Sequence, residues 1–462
     1  MKNCMIPFGF KQFNNQQGSI LVTVLSVLSI LLTIFIFALT YTLTRYTVHT
    51  KNKNILIATH LSEAGITNSL DKLNSNRFES TYEYDTPNGG NITISKENWG
   101  PYYLISSIGE YANQKIKTTS LIGSFPDSFF QDAITVCDEQ YPFVVAGNTR
   151  IIGNVNTGLL GMEAGEIRGE GVTDKKYHKG IVNFHKSLSP PTIDTTVYYE
   201  YIKSILSRKA HCKTYKSASL YLNNNSDTIL NNTPSIDIEN NLEMNNFFFE
   251  SNNEIHSIFV NGFVDIKNST KISSLLEIIA EGAINIKDSS LLDNVILYSK
   301  DSIIIEDDVT FSGIAIAHNK IIVKDNAKLL YPSILILLPL EKSETFENGI
   351  YLSSKNQLET VCYLSKNAED STYMNDVVYL DSLSTVLGAV ISKQIVNLQG
   401  KVYGSIVTEL FRYEQPPTTY INWAYSLFVN RLTLNYNFGL PIFSDTSIYH
   451  THIILRQTQE SL

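Results

Sequence analysis

Apolar residues run almost unbroken from Ser19 to Leu43, and no charged side chain lies between Gly18 and Thr44. A segment apolar on every side predicts a helix surrounded by lipid rather than one resting on a core. At the usual helical rise it measures roughly 38 Å, more than the ~30 Å hydrocarbon layer of a bilayer, so it can cross with tilt. A cleaved secretory signal has a shorter apolar core and a small-residue cleavage site. Here Ala38 is the run's one alanine and no A-x-A follows. Arg45 to about Leu73 contains no proline, its first glycine is Gly65, and Ile66, Leu70 and Leu73 share one face. The helix is therefore expected to continue into water, for roughly 50 residues in all.

Past that helix the period changes from helical to strand-like. Ser80–Tyr84 and Asn91–Ser95 flank Thr-Pro-Asn-Gly-Gly, and Tyr102–Ile108 and Lys115–Ile122 follow. This predicts a small antiparallel sheet over 74–125, laid against the distal helix. From about residue 131 an internal repeat appears. Ile258–Asn268, Ile278–Asp288, Leu297–Asp307 and Ile316–Asp325 superpose, with Ile266, Ile286, Ile305 and Val323 spaced by 20, 19 and 18 residues. Outlying copies are expected at Val144–Asn154 and Ala389–Leu398. Each unit reads as strand, polar corner, strand. Stacked at the ~4.8 Å strand spacing, such units form a β-solenoid with inward Ile and Val ladders and left-handed Asn and Gly corners.

The fold class is thus mainly β: a leader (1–18), a long N-terminal helix (19–73), a small antiparallel β unit (74–125), a β-solenoid (131–412) and an aromatic cap and tail (413–462). A helical and loop insertion is placed at about 190–253, with Asn223–Asn253 as loop or irregular coils. Solenoid ends need covers. Two are expected: a helix capped by Asp194 that presents Tyr201, Ile202, Ile205 and Leu206 on one face, and the tail from Tyr413 to Tyr449 with Trp423, Phe428, Tyr436 and Phe438.

Composition narrows the function. The formal net charge of −9 disfavours a nucleic-acid platform. Cys4, Cys137, Cys212 and Cys362 match no metal spacing and read as scattered thiols. Glu306-Asp307-Asp308 is the best carboxylate cluster for a carbohydrate-active β-helix enzyme, a polysaccharide lyase or hydrolase. The equivalent positions hold Lys287-Asp288 and Lys324-Asp325, which points to a charge-balanced ladder. His450-Thr-His452 is the one H-x-H pair, without an evident third ligand. The glycines at 153, 158, 161, 165, 169 and 171 do not form a phosphate loop, and no nucleophile elbow is present. No cofactor is expected and no enzyme activity is assigned.

Three pieces in order carry a family resemblance: Gln17-Gly18-Ser19 before the apolar run, the long helix, and Ala58-Thr59-His60-Leu61-Ser62-Glu63-Ala64-Gly65-Ile66 at its distal end. Over about residues 11–73 this resembles type IV pilin-like proteins, and among them minor pilins with a PilX-type N-terminal region. The resemblance implies cleavage after Gly18 by a prepilin peptidase, methylation of Ser19, and assembly with other pilin-like subunits through the helix and the Glu63-Ala64-Gly65 stretch. Main pilins place Glu at the fifth mature position, where it pairs with a neighbour's amine. This chain has Thr23 there, which resembles subunits at a filament tip, including the tip pseudopilin of type II secretion. The expected placement is a single-pass membrane protein with a cytoplasmic N-terminus. Its ectodomain is periplasmic or extracellular, and its work is structural or adhesive, with surface polysaccharide as a candidate contact. The competing readings are the anchored enzyme and a plain surface protein outside any filament.

Overall fold

In the computed structural model the repeat positions read from the sequence become register partners. Leu222, Met244, Ile266, Ile286, Ile305, Val323, Leu352, Leu380 and Leu398 form one continuous ladder, each residue paired with the next. The structure describes residues 16–74, 80–87, 89–124, 128–174, 176–186, 188–216, 219–223, 233–250, 255–339, 348–366, 376–434, 438–444 and 451–460.

Each coil carries three strand segments, exemplified by Val264–Lys267, then Lys271–Ser273, then Leu276–Ala280. The coils stack in parallel, so three walls enclose one apolar bore. Corners repeat as well. Asn268-Ser269 and Asp288-Ser289 all hold positive φ, as do Asp308 and Asn326. The following Thr270 and Ser290 hydroxyls close the corner onto Lys267 O and Lys287 O at 2.8 and 2.7 Å. Short polar side chains that tolerate the left-handed region therefore set the bends. A second bend needs glycine. At Gly404 (φ +153°) a Cβ would lie 1.7 Å from the Gly388 carbonyl oxygen of the coil beneath.

The N-terminal part of the chain is built as expected from its pattern. Helix α1 (Gln16–Asn74) is continuous. Strands β1 (Thr81–Asp85), β2 (Asn91–Trp99), β3 (Tyr102–Tyr111) and β4 (Gln114–Ser124) form an antiparallel sheet in sequence order. A single turn, α2 (Ser128–Gln131), leads into the solenoid. One sheet face holds α1 through Ile92, Ile94, Ile105 and Ile122. The other face, with Trp99, Tyr102, Leu104 and Leu121, packs on one solenoid wall through Ile296, Ile314, Ile316 and Ile334. That wall is covered on both sides, which is why Ile314-Ala315-Ile316-Ala317 is apolar without alternation.

Four expectations change or narrow. First, the coils do not follow chain order. Ile134–Val136 stacks on Ile406–Thr408, and Arg150–Ile152 on Phe428–Asn430, so residues 134–184 build the end next to the C-terminal coils. Second, helix α3 (Thr195–Lys209) lies along the flank of the rod instead of covering an end. Asp194 caps it through Thr196 N at 2.8 Å, as expected. Its buried face is Val197, Tyr201 and Ile205, while Leu206 is exposed, because the helix rests on both the sheet and the wall. Third, the stretch Asn223–Asn253, read as loop or irregular coils, falls on the side of coils: it contains strands Ser235–Ile238, Asn241–Asn245 and Phe248–Glu250, while residues 224–232 and 251–254 lie outside the described set. Fourth, the aromatic tail is built into the body. Phe428 and Trp423 sit in rod strands, Phe438 packs on the covered wall beside Tyr331, and Thr451–Glu460 pairs antiparallel with β4 as a fifth sheet strand. Tyr436 lies outside the described residues.

Candidate functional site

The first half of α1 stands away from the body. From Ile20 to Leu43 the large apolar side chains are 51–72% exposed. This segment is long and apolar enough to cross a bilayer, and the helix holds an 18-residue stretch with a mean hydropathy of 2.9. Its hydroxyls are made compatible with lipid by bonding back to the helix. Thr23 Oγ1 donates to Ile20 O at 2.9 Å, Ser29 to Ser26 O at 2.8 Å, and Thr33, Thr40 and Thr42 to the carbonyl one turn back at 2.8 Å. Arg45 lies over the Tyr41 ring at 5.2 Å, and Tyr46 follows, an arrangement suited to a membrane–water boundary. Gly18 and Ser19 fall in the first turns of α1.

Past Tyr46 the helix meets the sheet through small residues. Ala58, Ser62, Gly65 and Ser69 recur at helical spacing and are all buried. A Cβ on Gly65 would lie 2.1 Å from Ser107 Oγ; one on Gly109 of β3 would lie 2.2 Å from Ala58 O. Helix and strand backbones therefore approach where neither carries a bulky side chain. Ser62 Oγ and Thr118 Oγ1 share a hydrogen bond at 2.7 Å across the seam. Ile66 and Leu73 are buried beside these contacts, and Leu70 packs at their edge, so the apolar face read from the sequence is the docking face. The distal motif divides here. Gly65 faces the sheet, Ala64 is exposed, and Glu63 is half-exposed, 3.6 Å from His60 Nδ1. The stripe Ala58–Ser62–Gly65–Ser69 was visible in the sequence as a 4-3-4 spacing but had no partner until the sheet was in place.

The carboxylate cluster is part of a charge ladder. Glu306 meets Lys324 one coil on at 3.2 Å, just as Asp265 meets Lys287 at 3.4 Å and Glu243 meets Lys267 at 2.6 Å. Asp307 and Asp308 sit at the adjoining corner, Asp308 with φ +62°. The glycine-rich run supplies bends of the terminal coils, Gly153, Gly161 and Gly169 at positive φ. Cys137 and Cys362 are buried, and burial pushes the Cys362 thiol up to about 12. His450 lies outside the described residues. Among the described residues no group of three His, Cys, Asp or Glu could hold a metal ion.

Sequence reasoning missed the most unusual charge. Glu277 is fully buried in the covered wall and accepts from Ser257 Oγ at 2.7 Å and from the Arg208 guanidinium of α3. Burial pushes its carboxyl above the ordinary range, with Arg208 pulling it back down. The signal was there: one acid inside Leu275-Leu276-Glu277-Ile278-Ile279. Above this pair a cleft of about 470 Å³ is lined by Lys96, Glu97, Asn98, Glu200, Ser204 and Arg208. Both signs of charge line it, and Asn98 Nδ2 donates to Glu200 Oε2 at 3.0 Å. The arrangement clamps α3 between sheet and rod.

No family model matches the chain, and no curated protein matches it. Among solved structures, the competence-associated pilin ComZ from Thermus thermophilus aligns over 88% of this chain and 98% of its own, at 9% identity and a TM-score of 0.20. A likeness that low supports no inference about function.

Proposed function

We propose that this chain is a minor, pilin-like subunit. α1 holds it in the membrane, a prepilin peptidase cuts it after Gly18, and it sits at the tip or start of a type IV pilus-like or type II secretion-like filament. Its partners are the membrane and other pilin-like subunits. Its solenoid head is structural or adhesive, with surface polysaccharide as the candidate contact. The observation that carries this reading is α1 itself: one unbroken helix, bare and apolar from Ile20 to Leu43, then locked by Ala58 and Gly65 onto the sheet. An anchor alone needs no rigid junction with its head, whereas a subunit that transmits position along a filament does. Thr23 in place of a carboxylate fits a subunit that accepts neighbours without offering the usual buried charge. The reading is non-enzymatic, because Glu306 is held by Lys324.

Intact mass spectrometry of the membrane-extracted protein, from cells that possess a prepilin peptidase, tests it. The expected mass corresponds to a chain beginning at Ser19, with or without a methyl group. A chain retaining Met1 in those cells overturns the proposal and leaves a plain anchored surface protein.

A further inference from the structure

The two ends of the solenoid differ. At the end where the ladder starts, the inward residue Leu222 is fully buried. At the other end the inward rows run out into solvent. The row Ile406–Ile134–Val155 continues to Val182, and Thr157 pairs with Phe184. Phe184 occupies an inward position yet stands 60% exposed, because no further coil lies over it among the described residues. Its ring leans over Gly161, and Tyr141, Leu159, Leu160 and Ile181 in the same terminal coils are also exposed.

The backbone at this end is equally open. Among the described residues, His178–Lys179 pairs only with Ile151–Ile152, Val182–Phe184 only with Val155–Thr157, and Met162–Ala164 only with Phe143–Val145. All three walls thus end in strands with one free edge. Free edges recruit further strands unless they are blunted, and an exposed end of a solenoid core requires a cover.

We infer that this end is an interface between two copies of the chain, which meet end to end through the Val182–Phe184 wall. The open wall dictates the occupant: a strand with the same apolar-polar-apolar alternation and a free edge of its own. A second copy of Val182-Asn183-Phe184 satisfies both. With a two-fold axis through Asn183, the strands pair antiparallel, and Val182 of each copy faces Phe184 of the other. That is an aromatic–β-branched pair of the favourable kind. Ile181 then opposes His185 and Gly180 opposes Lys186, so no like charges face each other across the described part of this register. The same axis exchanges the two remaining walls, bringing His178–Lys179 of one copy toward the free edge of Met162–Ala164 of the other. The five exposed side chains leave on the order of 500 Å² of surface at about 200 Å² per large side chain. With the edge backbone added, this approaches the ~800 Å² per partner of a stable pair. A two-fold contact is closed, so it yields a dimer and not a fibre.

The test uses the full chain in detergent. Sedimentation velocity is run on the wild type and on Phe184→Glu, and Asn183→Cys is oxidised mildly with the wild type as control for the native thiols. The expected results are a wild-type dimer, a dissociation constant at least tenfold weaker for Phe184→Glu with an unchanged thermal midpoint, and a disulfide between the two introduced thiols that adding Phe184→Glu abolishes. A wild type monomeric up to about 50 µM overturns the inference and leaves this end to a different partner. A dimer of unchanged strength in Phe184→Glu, or one in which the introduced thiols do not link, also overturns it and places the contact in the membrane helix.

Discussion

Replacing Arg208 by Met breaks the buried pair from one side. Glu277 has no exposed surface, and it also accepts a hydrogen bond from the Ser257 hydroxyl at 2.7 Å. Removing one partner of a buried ion pair costs about 3 kcal/mol, since the remaining charge stays desolvated. Arg208 keeps 28% of its side chain in solvent, which lowers the expected figure to about 2 kcal/mol. The loss falls on the docking of α3, because Arg208 belongs to that helix and Glu277 to the wall beneath it. Amide hydrogen exchange across Thr195–Lys209, measured by mass spectrometry on the full chain, reads this local opening directly. About 2 kcal/mol corresponds to roughly thirtyfold faster exchange at pH 7. The pH dependence follows from the sign of the shift. Burial raises the Glu277 carboxyl above its ordinary 4.5 and Arg208 opposes that rise. Without Arg208 it rises further, so the variant's folded state takes up a proton at higher pH than the wild type does. The variant's deficit is therefore largest at neutral pH and shrinks as pH falls toward 4.5. Adding Glu277→Gln removes the stranded charge and restores most of the protection. Exchange within about threefold of wild type at pH 7, or a double variant no better than Arg208→Met alone, would refute this account.

Three further outcomes are expected. Gly404→Ala forces a Cβ onto the Gly388 carbonyl of the neighbouring coil; a loss of about 3 kcal/mol or more should appear as a lower thermal midpoint by near-UV circular dichroism, and an unchanged midpoint contradicts the close-approach reading. Gly65→Val should open the α1–sheet seam, where a Cβ already meets Ser107 Oγ at 2.1 Å; limited proteolysis near residues 58–73 reports it, with the exposed-site variant Ala64→Val as the silent control. His318 is almost fully buried, with Nδ1 2.5 Å from Leu338 O and Nε2 2.9 Å from the Tyr298 hydroxyl. Burial lowers its pKa below 6.5, so the stability it supports is complete above pH 6.5 and declines as pH falls through the window below. The thermal midpoint of His318→Gln should lose that part of its slope between about pH 5 and 7.

The solenoid was legible where its period was short and regular. Ile266, Ile286, Ile305 and Val323 are successive rungs of one ladder, as their spacing required. The next rungs, Leu352 and Leu380, follow longer intervals that hid them from a period search. Stacking order was not legible, because parallel coils of similar sequence fit beside one another in more than one order. Nothing local tells Ile134 that its bed is Ile406. Helix α3 was readable as a helix from Asp194 and its apolar spacing, but its buried face was turned by the partner it found, leaving Leu206 outside and Val197 inside. The seam residues Ala58 and Gly65 were noticed as a motif, and their intrachain role depended on a sheet that a single sequence does not position. Glu277 carried no reading from the sequence, because its meaning depends on α3 bringing Arg208 to it.

The stacking order also bears on how the head can be made. Ile134–Val136 lies early in the chain, yet it rests on Ile406–Thr408, and Phe428–Asn430 lies between Lys401–Val402 and Arg150–Ile152. A solenoid that stacked in chain order could grow coil by coil as it emerged. Here Ile134–Val136 must wait until the chain has reached Thr408 for the surface it completes, and closing so long a loop slows the step that commits the fold. The first coils of the head therefore depend on the last: a chain cut short before residue 401 leaves Ile134–Val136 and Arg150–Ile152 without the strands they rest on.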